Sequence, residues 1–346
     1  MDVAVTGSGG LVGRRLVTAL AEDPAVDRVV ALDVVEQRVP AGVATGVADV
    51  RDPAIGDRFE GVDALVHLAF QLDPIQDEEA MRAINVDGTR TTLQAAVDAG
   101  VTRIVVASSA SVYGAHPDND VPLTESSPRR PPAEFSYARH KGEVEDWLWG
   151  WAGDLSDDVT VTVLRPAIVA GPGVDNFITR QLELPRMVTV AGHRPPMQVV
   201  HVDDVVEAFR LAATTDLPGA FNVAAPGWLS LDEALAVLGR RSVDLPGEVA
   251  WSLAAALWRV GIGDAPAGQL PYVMHPWVLD VRRLEAAGWT AQHSNRDALA
   301  ALAEEHRPYV RVGPVRLRRG SVAIGAGTLG ALAAAGLVRA WRNRGR

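Results

Sequence analysis

Tyr137 and Lys141 stand four residues apart in the run Tyr137-Ala-Arg-His-Lys141. On a helix both side chains would leave one face about a turn apart. A free tyrosine titrates near pH 10 and is a poor base at neutrality; an ammonium beside it favours the ionised phenol and makes it a usable acid or base. Lys141 is also the only lysine of the chain, every other basic residue being arginine. Such a pair is common on plain surface helices too, so the argument depends on what surrounds it. Just upstream, a strand over Arg103 to Ala107 delivers Ser108, Ser109 and Ser111 in Ala107-Ser-Ser-Ala-Ser-Val-Tyr113-Gly114.

The elements that would position these groups begin at the N-terminus. Val3 to Thr6 reads as a buried strand running into Gly7-Ser-Gly-Gly10-Leu11-Val12-Gly13, with helix-forming composition from Arg14 to Ala21. Strand, glycine loop and helix suit a dinucleotide: glycines permit close approach to a pyrophosphate, and a helix start offers free N–H groups. Gly7, Gly10 and Gly13 fall three apart, a variant of the commoner spacing. The next strand, Arg28 to Leu32, ends at Asp33, twenty residues beyond Gly13, where an acid can accept from the adenosine ribose and repel a 2′-phosphate. NAD is therefore expected over NADP. Further strands are expected at Val62 to Leu68 and Thr160 to Leu164, and one long helix over Glu78 to Gly100, a doubly wound parallel α/β sheet whose strand ends line one edge.

The chain has 346 residues, 48% hydrophobic and 22% charged, an ordinary globular composition. It has no cysteine, which excludes disulfides, thiolate catalysis and cysteine-ligated zinc. The eight histidines form no His-x-x-x-His pair, and there is no Gly-x-Ser-x-Gly elbow. The start Met-Asp-Val-Ala-Val-Thr lacks the basic and apolar regions of a secretory signal, so a cytoplasmic protein is expected. Net charge is −10, but His306 to Arg346 holds nine arginines and no acid; the body before it has 24 basic against 43 acidic residues, a net of −19. An acidic body is a poor nucleic-acid binder.

The motifs Thr6-Gly-x-x-Gly10-x-x-Gly13, His67-Leu-Ala69, Asn85-Val-x-Gly88-Thr, Ser108-Ser109-x-x-Val-Tyr-Gly114 and Tyr137-x-x-x-Lys141 occur in this order. Together they resemble the extended short-chain dehydrogenase/reductases, the NAD-dependent epimerase/dehydratase family, over about Met1 to Arg307. The resemblance implies Tyr137 as acid/base, Lys141 lowering its pKa and holding the nicotinamide ribose, and Ser109 bonding the reacting oxygen. It implies that the loop Gly7, Gly10, Leu11, Val12 and Gly13 cradles the cofactor and Asp33 meets its ribose. Asp49 and Val50 would meet the adenine, and Leu68 and Ala69 would run along the cofactor. Asn85 would support the site, and the segment from Arg165 to Gly173, with Pro166 and Val169, would approach the carboxamide. Family members often pair through the helices holding Asn85 and Tyr137, so a homodimer is expected, with one tryptophan face, that of Trp147 and Trp151 or that of Trp149, as interface or as plain core.

Residues 1–173 are read as the NAD-binding Rossmann-like domain, and 174–306 as a smaller substrate-binding region partly interleaved with it. The substrate pocket would draw on loops near Phe70 to Asp73, Ser111 and Val174 to Arg180, with Ser111 and Asn176 as candidate substrate contacts. Asp203 or Asp204 reads as a helix cap. Two departures bear on chemistry. Ala110 and Ser111 follow Ser109 where sugar-nucleotide dehydratases of the family carry acids, which disfavours dehydration. Pro195-Pro-Met-Gln198 stands where epimerases usually present a diphosphate-binding arginine, leaving Arg180 and Arg194 as substitutes. The expected activity is a dehydrogenase or reductase acting on a hydroxyl or keto carbon of a small molecule. The alternatives are an epimerase that retains its cofactor and a non-catalytic NAD-binding sensor or assembly subunit. Residues 307–346 form a basic tail around Gly320 to Val338, nineteen uncharged residues read as an apolar helix. It suits attachment to the inner face of a membrane, packing against a subunit, or a free basic tail.

Overall fold

A computed structural model describes residues 1–183, 186–261, 263, 266–312 and 315–318. Its main sheet has seven parallel strands: β1 (Asp2–Thr6), β2 (Arg28–Asp33), β3 (Ala44–Val47), β4 (Ala64–His67), β5 (Arg103–Ala107), β6 (Thr160–Pro166) and a late strand, Gly219–Val223. Between β6 and that late strand come three short ones, β7 (Ile168–Ala170), β8 (Met187–Val190) and β9 (Val199–His201), which makes the late strand β10. The sheet order is β10-β6-β5-β4-β1-β2-β3. Beyond it lie β11 (Ser242–Leu245), which pairs with β8, and the hairpin of β12 (Tyr309–Val312) and β13 (Val315–Arg318).

The helices are α1 (Leu11–Ala21), α2 (Glu78–Arg82), α3 (Gly88–Asp98), α4 (Ser136–Ala152), α5 (Val202–Thr214), α6 (Leu231–Leu238), α7 (Gly247–Arg259), α8 (Arg282–Ala286) and α9 (Asn295–His306). The strands are apolar throughout because both faces of the sheet are covered, and their residues alternate between two cores. Val3, Val5 and Val105 pack with Leu16, Leu20 and Phe209 of α1 and α5. Ala4, Ile104 and Val106 pack with Leu93 and Leu148 of α3 and α4.

The helix expected over 78–100 is interrupted: α2 and α3 are joined by a π-helical turn, Ala83–Asp87, which carries Asn85. The region after residue 174 is interleaved with the sheet through β10, which lies beside β6 in register Phe221 to Leu164. Its own core joins Val174, Val199 and Val202 to Leu238, Leu299 and Leu302 of α6 and α9. A capping box of Ser230 and Glu233 starts α6 and a left-handed Gly239, φ +61°, ends it.

Neither Asp203 nor Asp204 caps α5. The His201 imidazole accepts the Asp203 N–H at 3.3 Å. Asp203 pairs with Arg15, while buried Asp204 accepts the amides of Gln292 (3.0 Å) and His293 (3.1 Å) and so anchors the approach to α9. The apolar stretch 320–338 lies outside the described residues. Among those described, no helix is long and apolar enough to cross a membrane.

Candidate functional site

The carboxyl ends of β1, β2, β4, β5 and β6 form the edge that carries the site. Gly7 turns the chain out of β1 at φ +72°, and a Cβ there would lie 2.5 Å from the Ala69 nitrogen and 2.8 Å from the Leu68 carbonyl carbon. A Cβ on Gly13 would meet the Gly7 carbonyl oxygen at 2.3 Å. Both positions therefore require glycine, and Leu68 and Ala69 run directly along the loop. Gly10 is the N-cap of α1, so the first N–H groups of Leu11, Val12 and Gly13 have no acceptor within the helix and can face an anion. Asp33, at the end of β2, accepts the Gly9 N–H at 2.9 Å, which fixes a carboxylate beside the loop. Next to it an open hollow of about 310 Å³ is lined by Glu36, Gln37, Thr45, Gly46 and Val47.

Asp49 and Val50 follow β3. The Asp49 carboxylate is chelated by Arg51, whose hydrogen bonds hold its pKa below the usual range. The Val50 side chain is packed so closely on Gly88 that a Cβ there would be 2.7 Å away. Both side chains are thus committed within the chain.

A buried polar column braces the loop from below. The Thr89 hydroxyl donates to the Asn85 carbonyl (2.7 Å), so it must accept from His67 Nε2 (3.0 Å), and His67 Nδ1 then accepts from the Thr6 hydroxyl (2.8 Å). Burial, with the charge of Lys141 adding to it, pushes His67 down to about 3, so the ring is neutral. Asn85 clamps the chain after β4: its Oδ1 accepts the Gln71 N–H at 2.7 Å and its Nδ2 donates to the Gln71 carbonyl at 3.2 Å. The π turn sets this amide in position.

Tyr137 and Lys141 both lie on α4. The Lys141 ammonium, however, donates to the Ala107 carbonyl at 2.6 Å and sits 3.4 Å from the centre of the Phe70 ring. Burial pushes its pKa down to about 7, against the pull of Glu145 one turn further along α4. Burial raises the Tyr137 pKa, and the Ser109 hydroxyl is what opposes it. In this state the expected lowering of the phenol by the ammonium does not hold, because the lysine faces Ala107 and Phe70 and desolvation dominates. Ser109 also caps the turn Ala110–Tyr113 by accepting the Ser111 N–H at 3.1 Å.

The walls around the phenol are aromatic. Phe70, Phe135 and Phe177 stand 5.7, 5.8 and 6.4 Å from the Tyr137 ring. Tyr272 packs on Phe135 and donates to the Ser111 carbonyl at 2.6 Å. The buried Ser111 hydroxyl has no hydrogen-bond partner among the described residues and is available to a ligand. Two of the three loops expected to build the pocket meet directly: Asp73 accepts the Phe177 N–H (3.1 Å) and pairs with Arg180 (2.7 Å), which also holds Asp175 (2.8 Å). Asn176 uses its Oδ1 to accept the N–H groups of Ile178 and Thr179, so that oxygen is occupied in shaping the loop. Of the two arginines considered for a diphosphate, Arg180 already bridges two carboxylates and Arg194 pairs with Asp244 on the outer surface.

Pro166 ends β6 and Val169 lies in β7, both partly buried. Beneath them Arg165 is buried against Glu145, with Nε 3.0 and 3.1 Å from the two carboxylate oxygens and Nη1 2.7 Å from the Tyr113 hydroxyl. Ser108 also donates to Glu145. Glu145, Phe135 and Tyr272 were not singled out from sequence. Glu145 had a readable signal, since it continues the four-residue spacing Tyr137, Lys141, Glu145; Tyr272 had none, being brought in from far along the chain.

Among the described residues no group of three or more acids and histidines could hold a metal ion. The sequence model described as the NAD dependent epimerase/dehydratase family matches residues 3–224. The chain belongs to the NAD-dependent epimerase/dehydratase family. An uncharacterised protein of Mycobacterium tuberculosis is 30% identical over 292 residues, covering 82% of this chain and 77% of that one. The N-acetyl-α-D-glucosaminyl-diphospho-ditrans,octacis-undecaprenol 4-epimerase of Escherichia coli O157:H7 is 30% identical over 173 residues, covering 49% of each. The structure of MoeE5 in complex with UDP-glucuronic acid and NAD superposes with a TM-score of 0.68 at 27% identity, covering 89% of this chain and 99% of that one. NAD is the cofactor of this family member, and the chain fits it: two glycines with no room for a Cβ, a helix start with free N–H groups and an acid at the end of β2.

Proposed function

We propose that the chain oxidises or reduces a carbinol or keto carbon of a sugar-type substrate, with Tyr137 as the acid/base. The observation that carries this reading is the partly buried Tyr137, whose phenol lies beside the Ser109 hydroxyl on the same helix as a buried lysine. The bound nicotinamide supplies the hydride acceptor or donor. In the oxidative direction Ser109 holds the substrate hydroxyl and the ionised Tyr137 takes its proton, so that the oxygen becomes a carbonyl as the hydride departs. Burial alone keeps Tyr137 protonated, so the phenolate needs a cation close to it. Lys141 is that cation, and it reaches the role by leaving Phe70 and Ala107 when the ribose enters. Ser111, Phe177 and Tyr272 shape the substrate side.

The relatives support a sugar as the reacting part, since one acts on a diphospho-linked amino sugar and another is seen with UDP-glucuronic acid. They also favour a second reading, an epimerase that returns the hydride to the same carbon. The neutralised Arg180 and distant Arg194 weigh against a free nucleotide diphosphate and keep the net dehydrogenase first. For the expected homodimer we take the outer face of α3 and α4, where Trp147 and Trp151 stack at 5.1 Å and remain partly exposed.

Replacing Tyr137 by Phe tests the assignment. Turnover should fall at least about a hundredfold, the scale of lost acid–base catalysis, while NAD affinity stays within a few-fold. Full activity in Tyr137→Phe would end it. Denaturing the purified protein separates the two readings: NAD released at near one per chain indicates an epimerase, and an empty site that binds NADH reversibly indicates a dehydrogenase.

A further inference from the structure

His201 does more at the start of α5 than a cap requires. Its Nδ1 accepts the Asp203 N–H, so the ring is neutral and carries its hydrogen on Nε2. Burial, then the neighbouring His293, lowers its pKa and keeps it so. Capping alone would be served better by aspartate, asparagine or serine. An imidazole adds a flat face and a second edge, and both are in use. The face stacks on the His293 ring, with centroids 3.8 Å apart and planes 22° from parallel. The edge meets Gly171, where a Cβ would lie 2.9 Å from His201 Nε2 and 3.0 Å from Cδ2.

Gly171, at φ +128°, opens the turn that leaves β7, and the residue before it, Ala170, is paired with His201 in the β7–β9 ladder. This turn lies against α1. A Cβ on Gly173, φ +81°, would be 3.2 Å from Cδ1 of Leu11, the first residue of that helix. Arg15, one turn further along α1, donates to the Pro172 carbonyl at 2.9 Å and pairs with Asp203. The stacked partner is itself fixed: His293 Nδ1 is 3.2 Å from each carboxylate oxygen of Asp204. One side of the turn is therefore backed by the two imidazoles, and the other bears on the helix start that offers its free N–H groups to the cofactor.

We propose that His201 is a positioning residue for NAD: its ring, braced by His293, holds the turn 171–173 against the start of α1, and this contact sets the affinity for the cofactor. His201 touches no part of the glycine loop in its own right. It acts through Gly171 and Pro172 on one path and through Asp203 and Arg15 on the other, and both paths end on α1. By the same route the segment leading into α9, through His293, bears on the cofactor end of the sheet. The inference needs NAD as the cofactor and does not depend on the reaction proposed for Tyr137.

Two variants of the full-length protein separate the ring from the cap. His201→Asn keeps an acceptor for the Asp203 N–H and removes the ring; Gly171→Ala keeps ring and cap and forces the turn away from them. NAD affinity is measured by calorimetry, and amide exchange is followed in the NAD-free protein. Each single variant should bind NAD about fivefold or more weakly, and the double variant should be no weaker than the poorer single, because both remove one contact. In each single variant the amides of Leu11, Val12 and Gly13 should exchange faster, with those of β10 unchanged. Three results overturn the proposal: native NAD affinity in either single variant; losses that multiply in the double variant; or exchange that rises equally in the glycine loop and in β10, which would make His201 a residue of general stability alone. His201→Gln, which fills more of the ring's volume, takes the place of His201→Asn in the cycle if that variant folds poorly.

Discussion

Lys141 and Phe70 form a cation–π contact in which the ammonium lies 3.4 Å from the ring centre. A buried lysine with a pKa near 7 is half neutral at physiological pH. If the ammonium must bond the nicotinamide ribose, NAD binding above pH 7 has to take up a proton. NAD affinity should weaken by up to about tenfold per pH unit above 7. Calorimetry at pH 8 in two buffers of different ionisation enthalpy should show the uptake, and Lys141→Met should abolish it. Equal heats in both buffers for the native protein would disprove the idea.

Glu145 and Arg165 are both buried and hold each other's charge, with Ser108 and Tyr113 completing the hydrogen bonds. Removing one partner strands a charge in the core, which costs about 3–5 kcal/mol. Glu145→Leu and Arg165→Met should each unfold at markedly lower denaturant than the native chain. The double variant should be less destabilised than the sum of the two, and strict additivity would show that the pair is uncoupled.

His67 titrates near 3 in the folded chain, below its unfolded value of 6.5. Between those values the unfolded state binds the extra proton, so this group makes stability rise with pH across that window and lose ground as pH falls through it. His67→Gln should unfold more easily at neutral pH, because Thr6 and Thr89 lose their partner. Its acid limb should nevertheless be flatter than that of the native chain in melts at successive pH values; an unchanged slope would show that His67 does not set it.

Asp73 joins the loop after β4 to the loop that carries Phe177. The ion pair with Arg180 is partly exposed and worth at most about 1 kcal/mol, so Asp73→Asn should leave global stability nearly unchanged. The amide of Phe177, whose acceptor is Asp73, should exchange with deuterium several-fold faster. Unaltered exchange would mean that the two loops are held together by their aromatic contacts alone.

The parts of this molecule that could be read from sequence are local ones. The Gly7 to Gly13 loop, the Asp33 strand end and the Tyr137–Lys141 spacing depend on a few neighbouring residues, and periodicity separated the buried strands from the helices. What escaped depends on contacts distant in sequence. The Lys141 ammonium is directed by Phe70 and Ala107, which spacing along α4 does not reveal. His201, not an aspartate, caps α5, because Asp203 and Asp204 are drawn to Arg15 and the 292–293 amides. The π turn at Asn85 keeps helical composition throughout, so its sequence reads as one unbroken helix.

The β10 strand closes one side of the main sheet although it follows β6 by more than fifty residues. During synthesis β6 must therefore wait, its outer N–H and C=O groups unpaired, until the chain has reached Val223. A fragment cut at residue 173 would keep that open edge permanently and offer it to other chains. The residues before 174 are thus completed by a strand from the residues after it, and the two parts should melt together as one cooperative unit.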